Sequence, residues 1–561
     1  MDRAKSALED FDLGLFNKVG HANFCARCLA GLPATMAEAD SSRMAIGFYC
    51  LGALDILGLL ETKVKEADRE AWRVWIWAQQ VRRPPDMGHS SNSENSASAS
   101  NAGSGIGKDA VPDCNLDGNQ DDEDQRWIGG FRPGPFMHVE FRRDESTPEG
   151  STSTHGEEAD PPHLIMTYTA LLALAILRDD FTQLDREGLV NLLRATQKSD
   201  GSFTSFPGQG ESDIRMVYTA FAISAMLNDW SGIDIPLAVY FTKRCMSYEG
   251  GFGQVPGNEA QGGSTYCALA TLALTPEPYR TEAMLSAQER KRAERWLVQQ
   301  QKPHRIFIRY ESDDSEDEDA LERSLGVNDR KKLDQEKKER KRKEIVEEEG
   351  GGFSGRTEKV EDACYSFWCG AALRILRSGQ VGGAGGLSSR SQSHSRSHLL
   401  ARSSASGREV KQHLQGEETE GDDDEGDLVH RLTHARFLSR CQFRLGGLAK
   451  APGAHPDPYH TYLALAALAL YPPPQFPSPH QNPNPHLPFS RPSTTNPNPT
   501  DASDVGMAEP SDVELLDEMK VERRRKERES WRIAQLDPLI NATVETSRWA
   551  RERIPRPGKQ R

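Results

Sequence analysis

A carboxylate, a thiol and an imidazole stand at two related points of this chain. Asp362-Ala-Cys364-Tyr365-Ser-Phe-Trp368 follows a Gly-Gly-Phe turn, and Pro458-Tyr459-His460-Thr-Tyr follows a Gly-Gly-Leu turn. Oxygen, sulfur and nitrogen donors together suit Zn²⁺, and three protein ligands leave one tetrahedral position open for chemistry. Three such residues taken alone would single out nothing, because most enzymes contain them somewhere. Their shared position in a repeat does.

Gln197-Lys-Ser-Asp-Gly201-Ser-Phe203, Ser247-Tyr-Glu-Gly250-Gly251-Phe252, Gly351-Gly352-Phe353 and Gln442-Phe-Arg-Leu-Gly446-Gly447-Leu448 recur along the chain. Each precedes a polar loop and then an apolar, small-residue helix, expected at Val217–Leu227, Thr265–Leu274, Cys364–Leu376 and His460–Tyr471. The first two turns lie about 50 residues apart, a spacing that signals stacked helical units burying their apolar faces against one another. Asp362, Cys364 and His460 therefore fall at equivalent helix starts of neighbouring units, where stacking would bring them together at one rim. Ala/Leu-rich runs without two-residue alternation (Met44–Leu60, Ile165–Leu177) extend the helical reading to the rest of the chain. The expected fold class is all-α, an α-α toroid (α6/α6 barrel) of helical hairpins.

Composition sets the outer limits. The chain has 561 residues, a formal charge of −15 and only 36% hydrophobic residues. Four stretches dilute the apolar content: about 88–123, 303–349, 378–427 and 473–528, rich in Ser, Asn, Pro or charge. Such compositions do not bury enough apolar surface to offset ordering entropy, so they read as disordered insertions. The remainder makes a single domain over residues 1–555 with a tail at 556–561. The acidic runs Glu311–Glu318 and Glu417–Asp427 read as solvated loops, and no basic patch with interleaved aromatics argues for nucleic acid. No apolar run approaches membrane-spanning length and the first residues form no leader, so a cytoplasmic location without stable membrane insertion is expected. Nine cysteines in so long a chain suggest reduced thiols. Cys25-Ala-Arg-Cys28 reads as two cysteines on one helix face.

Several composite segments resemble the β subunits of protein prenyltransferases, in particular those of geranylgeranyltransferase type I. They are Asp213-Ile-Arg215-Met-Val-Tyr218, Asn228-Asp-Trp-Ser-Gly-Ile-Asp234, Glu259-Ala-Gln261-Gly-Gly-Ser-Thr-Tyr-Cys267 and Gly355-Arg356-Thr-Glu-Lys359-Val-Glu-Asp362-Ala-Cys364-Tyr365. His163-Leu-Ile-Met-Thr-Tyr168 and Asp537-Pro-Leu-Ile-Asn541 extend the similarity toward both ends. The resemblance spans nearly all the ordered chain and none of the four insertions.

It implies a heterodimer with an α subunit shared with farnesyltransferase, and one Zn²⁺ per chain on Asp362, Cys364 and His460. It also implies transfer of geranylgeranyl from its diphosphate to the cysteine of C-terminal CaaX sequences, such as those of Rho/Rac-type small GTPases. The enzyme's Cys364 is then a ligand, and the nucleophile belongs to the substrate. A free thiol of pKa about 8.5 is mostly protonated at neutral pH, and zinc coordination removes that proton. The resemblance assigns the diphosphate to Arg356, Lys359, Tyr365, Gln261 and Lys450. It gives the isoprenoid walls as Ala45, Tyr168, Arg215, Tyr218, Gly263, Cys267 and Trp368. The last peptide residue would meet Ala45, His163, Ile165, Met216 and Tyr459. The metal ligands with Arg356, Lys359 and Tyr365 make up the expected catalytic set.

Three positions bear on the lipid. Farnesyltransferases carry tryptophan at the place of Ala45, which shortens the pocket, and a Mg²⁺-binding carboxylate at the place of Lys450. A resident ammonium can neutralise diphosphate, so no Mg²⁺ requirement is expected. Tyr459, by contrast, is farnesyltransferase-like, and Gln261 departs from the usual histidine. The farnesyltransferase β subunit is thus the second reading, and a non-catalytic helical-repeat scaffold the third.

Overall fold

The computed structural model describes residues 13, 15–32, 34–81, 127–134, 161–310, 344–379, 428–473 and 512–556. Helices dominate. They are α1 (Lys18–Ala30), α2 (Arg43–Leu57), α3 (Glu66–Ala78), α4 (Leu164–Ile176), α5 (Arg186–Thr196), α6 (Ile214–Leu227) and α7 (Ile235–Arg244). There follow α8 (Gly262–Leu274), α9 (Ala287–Val298), α10 (Ala363–Arg377), α11 (Arg431–Arg440), α12 (Pro458–Leu470), α13 (Asp512–Ser530) and α14 (Val544–Arg553).

The even-numbered helices α2 to α12 are the apolar, small-residue segments of the repeat, and each packs on the next until α12 returns to α2. Six inner helices thus close a ring. They are apolar on nearly every face because both neighbours and an outer helix cover them; every residue from Met166 to Ile176 of α4 is buried. The outer helices α1, α3, α5, α7, α9 and α11 are amphipathic, and α3 sets Ile76 and Trp77 inward beneath a charged face. The toroid expected from the sequence is the fold observed.

The repeated turns join outer to inner helices in one geometry. Antiparallel bridges pair Gln197 with Phe203, Met246 with Phe252, Gln301 with Phe353 and Gln442 with Leu448. At the turn, Gly201, Gly250, Gly351 and Gly446 all have φ between 89° and 114°. A Cβ at any of them would come within 2.5 Å of a carbonyl on the next outer helix: Leu237, Arg292, Thr433 and, for the last turn, Gly20 of α1. Glycine is required there for both conformation and space. The contact of Gly446 with α1 also closes the outer ring.

The opposite end is plugged. Residues Leu536–Asp537 and Ala542–Thr543 pair as a short ladder, and the carbonyls between them face the barrel interior. Tyr266, Tyr218, Tyr168 and Tyr462 donate to the carbonyls of Pro538, Leu539, Ile540 and Asn541 at 2.8, 3.1, 2.7 and 2.5 Å. All four tyrosines hold the same place in the repeat, five residues after the helix cap, so one sequence position makes one structural device.

The sequence reading needs two corrections at the edges of the insertions. Arg305–Tyr310 and Glu344–Glu349, inside the second stretch, form an antiparallel strand pair. Asp512–Ser530, at the end of the fourth, is helical. Strand alternation in the first pair is masked by its charges, and α13 is too polar for its apolar pattern to stand out. Residues 88–123, 311–343, 380–427 and 474–511 lie outside the described residues.

Candidate metal centre

Five of the six inner helices, all but α2, begin with a capping side chain whose acceptor atom receives a first-turn amide. His163 caps α4, Asp213 α6, Gln261 α8, Asp362 α10 and Asp457 α12. These caps satisfy amides that no helical carbonyl reaches. Capping starts the helices one to three residues earlier than their apolar runs suggest. It also aims the cap and the residues two and three positions later at the open rim.

At the rim of α10 and α12 three donors converge. Asp362, Cys364 and His460 present ligand atoms all within 4.8 Å of one another. Asp362 Oδ1 lies 3.3 Å from His460 Nε2. Two donors on a common tetrahedral centre at about 2.0–2.1 Å stand roughly 3.4 Å apart, so the residues fit such an ion. They form the one metal-sized cluster of His, Cys, Asp and Glu among the described residues.

The sequence reading missed a fourth residue. Asp457 accepts from the His460 amide at 2.9 Å through one oxygen, and its other oxygen lies 2.6 Å from His460 Nδ1. A carboxylate on the far nitrogen fixes the ring and leaves Nε2 free to ligate. An Asp at the cap position, three residues before a candidate ligand histidine, was the available signal.

The electrostatics follow from this crowding. Burial pulls the His460 pKa down, but hydrogen bonds donated to the Asp362 and Asp457 carboxylates outweigh it and hold the imidazole at about 9. Burial raises the Asp362 carboxyl, and its bonds with His460 and Cys364 bring the net effect below the ordinary range. Burial and the Asp362 charge push the Cys364 thiol up. A cation among these groups would displace the His460 and Cys364 protons.

Candidate anion-binding groups surround the cluster. Lys450 Nζ lies 3.7 Å from Asp362 Oδ2 and remains exposed; its carbonyl accepts from the Ala363 amide at 2.8 Å, tying its loop to α10. Arg356 and Lys359 are exposed on the turn before Asp362, with Arg356 Nη1 3.1 Å from Glu259 Oε2. Tyr365 stacks over Gly355, where any side chain would collide with its ring. Gln261 departs from a simple anion-binding residue. Its oxygen caps α8 through the Ser264 amide, and its nitrogen donates to the Tyr365 hydroxyl at 3.1 Å. Both polar ends are engaged within the protein.

The interior is lined by a closed belt of rings. Phe48, Tyr168, Tyr218, Tyr266 and Trp368 follow one another at centroid distances of 6.4, 5.9, 5.3 and 5.1 Å. Trp368 Nε1 donates to the Tyr459 hydroxyl at 3.2 Å, and Tyr459, Tyr49, Tyr462 and Phe48 complete the circuit. Tyr49, Tyr266 and Tyr462 had not been singled out from the sequence as site residues. Cys267 and Ala45 are buried, at 6% exposure each, and Gly263 sits two residues past the Gln261 cap.

The rim of α4 and α6 differs. His163, with its ring 4.6 Å from Phe206, is held by burial at a pKa of about 4. Ile165 is half-buried and Met216 buried. Arg215 folds onto Asp213 and Glu211, with Nη2 2.6 Å from each carboxylate.

Known proteins agree with this architecture. Residues 16–541 match the family model described as the prenyltransferase alpha-alpha toroid domain. The chain is 27% identical over 457 residues to the geranylgeranyl transferase type-1 subunit beta of Dictyostelium discoideum, covering 80% of this chain and 89% of that one. It is 28% identical over 320 residues to the protein farnesyltransferase subunit beta of Schizosaccharomyces pombe, covering 56% and 60%. Candida albicans protein geranylgeranyltransferase-I complexed with GGPP superposes with a TM-score of 0.54 at 19% identity, covering 96% of this chain and all of that one; that likeness concerns the fold. No helix among the described residues is long and apolar enough to cross a membrane. The chain is a member of the prenyltransferase family, of the kind that forms the β subunits of geranylgeranyl- and farnesyltransferases.

Proposed function

We propose that this chain is the catalytic β subunit of a zinc-dependent protein geranylgeranyltransferase of type I. It joins geranylgeranyl, supplied as its diphosphate, to the cysteine thiol of CaaX-terminated proteins such as Rho/Rac-type GTPases, in a heterodimer with an α subunit. The convergence of Asp362, Cys364 and His460, with Asp457 behind the histidine, carries the reading, because a binding scaffold has no need of it.

Zinc held by those three side chains would supply the thiolate form of the incoming peptide cysteine. The remaining work falls to the chain's own groups. Arg356, Lys359 and Lys450 meet the negative charge that grows on the departing diphosphate, and the Tyr365 hydroxyl donates to it. Gln261 acts on that hydroxyl, holding Tyr365 in position. The aromatic belt, with Ala45, Cys267, Gly263 and the stem of Arg215, gives the isoprenoid an apolar wall and excludes water from the thiol. His163, Ile165, Met216 and Tyr459 receive the last peptide residue, and the apolar pair favours Leu, Phe or Met there.

Ala45 and Lys450 support geranylgeranyl over farnesyl: a small residue lengthens the pocket, and an ammonium beside Asp362 substitutes for Mg²⁺. One observation favours farnesyl transfer as a second reading. Tyr459, bonded to Trp368, sets a phenol between the metal cluster and the pocket wall. The deciding assay combines the chain with an α subunit, Zn²⁺ and each isoprenoid diphosphate in turn, using peptides ending in Leu or Ser. Transfer of the 20-carbon group to the Leu peptide, without added Mg²⁺, is the expected result. Preference for the 15-carbon donor selects the second reading, and no transfer of either lipid leaves the scaffold.

A further inference from the structure

The plugged end holds a second concave surface, at the opposite end of the barrel from the metal cluster. A cavity of about 1330 Å³ lies between α14, the last turn of α6 and the Leu536–Pro538 segment. Ala225 and Asn228 line it at the end of α6, whose start carries Asp213, so a full helix of roughly 20 Å separates it from the rim. None of its walls belongs to the site described above. Five cations line it and all are arginines: Arg186, Arg548, Arg551, Arg553 and Arg556. Three carboxylates stand among them, in a chain whose formal charge is −15.

Two of the arginines are committed to the protein. Arg186 donates to the carbonyls of Phe181, Leu184, Arg553 and Ile554 and so clamps the end of α14. Arg551 Nη2 lies 3.1 Å from Asp537 Oδ2. Of the carboxylates, Asp180 is turned back onto the Thr182 amide and hydroxyl, which leaves Glu552. Against it stand Arg548, Arg553 and Arg556, all exposed and with no carboxylate at ion-pair distance among the described residues. Arg553 stacks over the Trp549 ring at 4.9 Å, which keeps the N–H edge of its guanidinium free for an in-plane acceptor. A neutral donor joins them. Ser547 lines the same cavity at 2% exposure, and its Oγ has no hydrogen-bond partner among the described residues. A buried hydroxyl left so costs free energy that a ligand's acceptor would recover.

Guanidinium forks match phosphate oxygens in both geometry and charge. Three of them free in one cavity call for an acceptor with several charges close together, which a polyphosphate has and a single carboxylate lacks. Leu536, Pro538, Val544 and Pro555 add an apolar share to the walls, as in sites that hold a ring by its faces and a few polar groups by hydrogen bonds. We propose that this cavity binds a polyphosphate carried on a small ring, with the phosphates on Arg548, Arg553 and Arg556 and the ring against the apolar residues. Nucleoside and inositol polyphosphates share that chemistry. The ligand lies beside the plug, because Pro538 both lines the cavity and accepts from Tyr266. Binding therefore stabilises the closed end without touching the metal cluster.

The test is isothermal titration calorimetry of the full chain, free of Mg²⁺, with ATP, inositol hexakisphosphate and inorganic triphosphate. ATP or inositol hexakisphosphate should bind saturably and more tightly than inorganic triphosphate, and the tighter of the two shows which ring the cavity takes. Arg548→Ala combined with Arg556→Ala should weaken binding at least about 10-fold, as charged hydrogen bonds are lost. Both side chains are exposed, so the melting curve without ligand should stay unchanged. Ser547→Ala should weaken binding by a smaller factor. The rim cations also attract anions, so Arg356→Ala combined with Lys359→Ala is the control and should leave this binding intact; the outcome is thereby independent of the transfer reaction proposed above. Absence of saturable binding, equal affinity for inorganic triphosphate, binding that survives the Arg548 and Arg556 substitutions, or binding lost with the rim pair would overturn the proposal.

Discussion

Two rims of the same barrel carry the same backbone and different chemistry. At α10 and α12 the cap, the second residue after it and the third residue of the next helix are Asp362, Cys364 and His460; at α4 and α6 they are His163, Ile165 and Met216. Helix starts and side-chain caps hold equivalent positions at the two rims. One gathers a metal-sized donor set and the other an apolar wall with a half-buried, neutral histidine. The repeat therefore supplies position, and residue identity alone supplies function.

The strongest way to break the comparison is to remove a donor. Cys364→Ala or His460→Ala should abolish both bound zinc and transfer, measured by metal content and single-turnover assay, while isoprenoid binding persists. Equivalent substitutions across the barrel, Ile165→Ala or Met216→Ala, should leave zinc unchanged and alter only the preferred peptide end.

The sharpest positive test transfers the chemistry. The combined variant His163→Asp, Ile165→Cys, Arg215→Tyr and Met216→His puts the α10 and α12 residues on α4 and α6, where Asp213 already stands in the place of Asp457. A second metal ion should bind, more weakly than the first, and equilibrium dialysis would count it. A count that stays at one would mean that the two rims differ in backbone as well as in side chains.

Asp457→Ala should act next in size, lowering metal affinity by roughly 10–100-fold because the His460 ring loses its outer partner. The pH dependence has a definite sign. In the metal-free protein His460 is raised from 6.5 to about 9, so its charged contacts stabilise the fold below pH 6.5, and that contribution is lost as pH rises through 9. Bound metal needs the neutral ring. Zinc affinity and the melting-point gain on adding zinc should both grow between pH 6.5 and 9. A gain that falls over this range would contradict the assignment of His460 as a ligand.

The smallest effects belong to the plugged end. Tyr266→Phe or Tyr218→Phe should cost about 0.5–1.5 kcal/mol in denaturant unfolding, as one buried carbonyl loses its donor. Neither variant should change metal content.

Much of this was legible in the sequence, because the repeat announces itself twice. Glycines forced by φ and by close approach mark the turns before α6, α8, α10 and α12, and small-residue helices follow them, so the barrel and the convergence of Asp362, Cys364 and His460 could be read from spacing. Asp457 escaped because a capping Asp looks alike whether or not it also holds a ligand ring. The second use of Gln261, donating to Tyr365 across a helix interface, depends on packing that spacing does not encode. The tyrosine position five residues past four of the five caps was visible, but its partner, the chain near Pro538, is up to 372 residues away. The strand pair and α13 lay under charge-rich compositions whose alternation and amphipathicity are weak.

The most direct test of the central claim is anomalous X-ray scattering at the zinc edge from crystals of the zinc-loaded chain with its α subunit. One peak is predicted, within about 2.0–2.3 Å of an Asp362 oxygen, Cys364 Sγ and His460 Nε2, and absent from Cys364→Ala crystals grown alike. A zinc peak elsewhere, or one that persists without the Cys364 sulfur, would contradict the account.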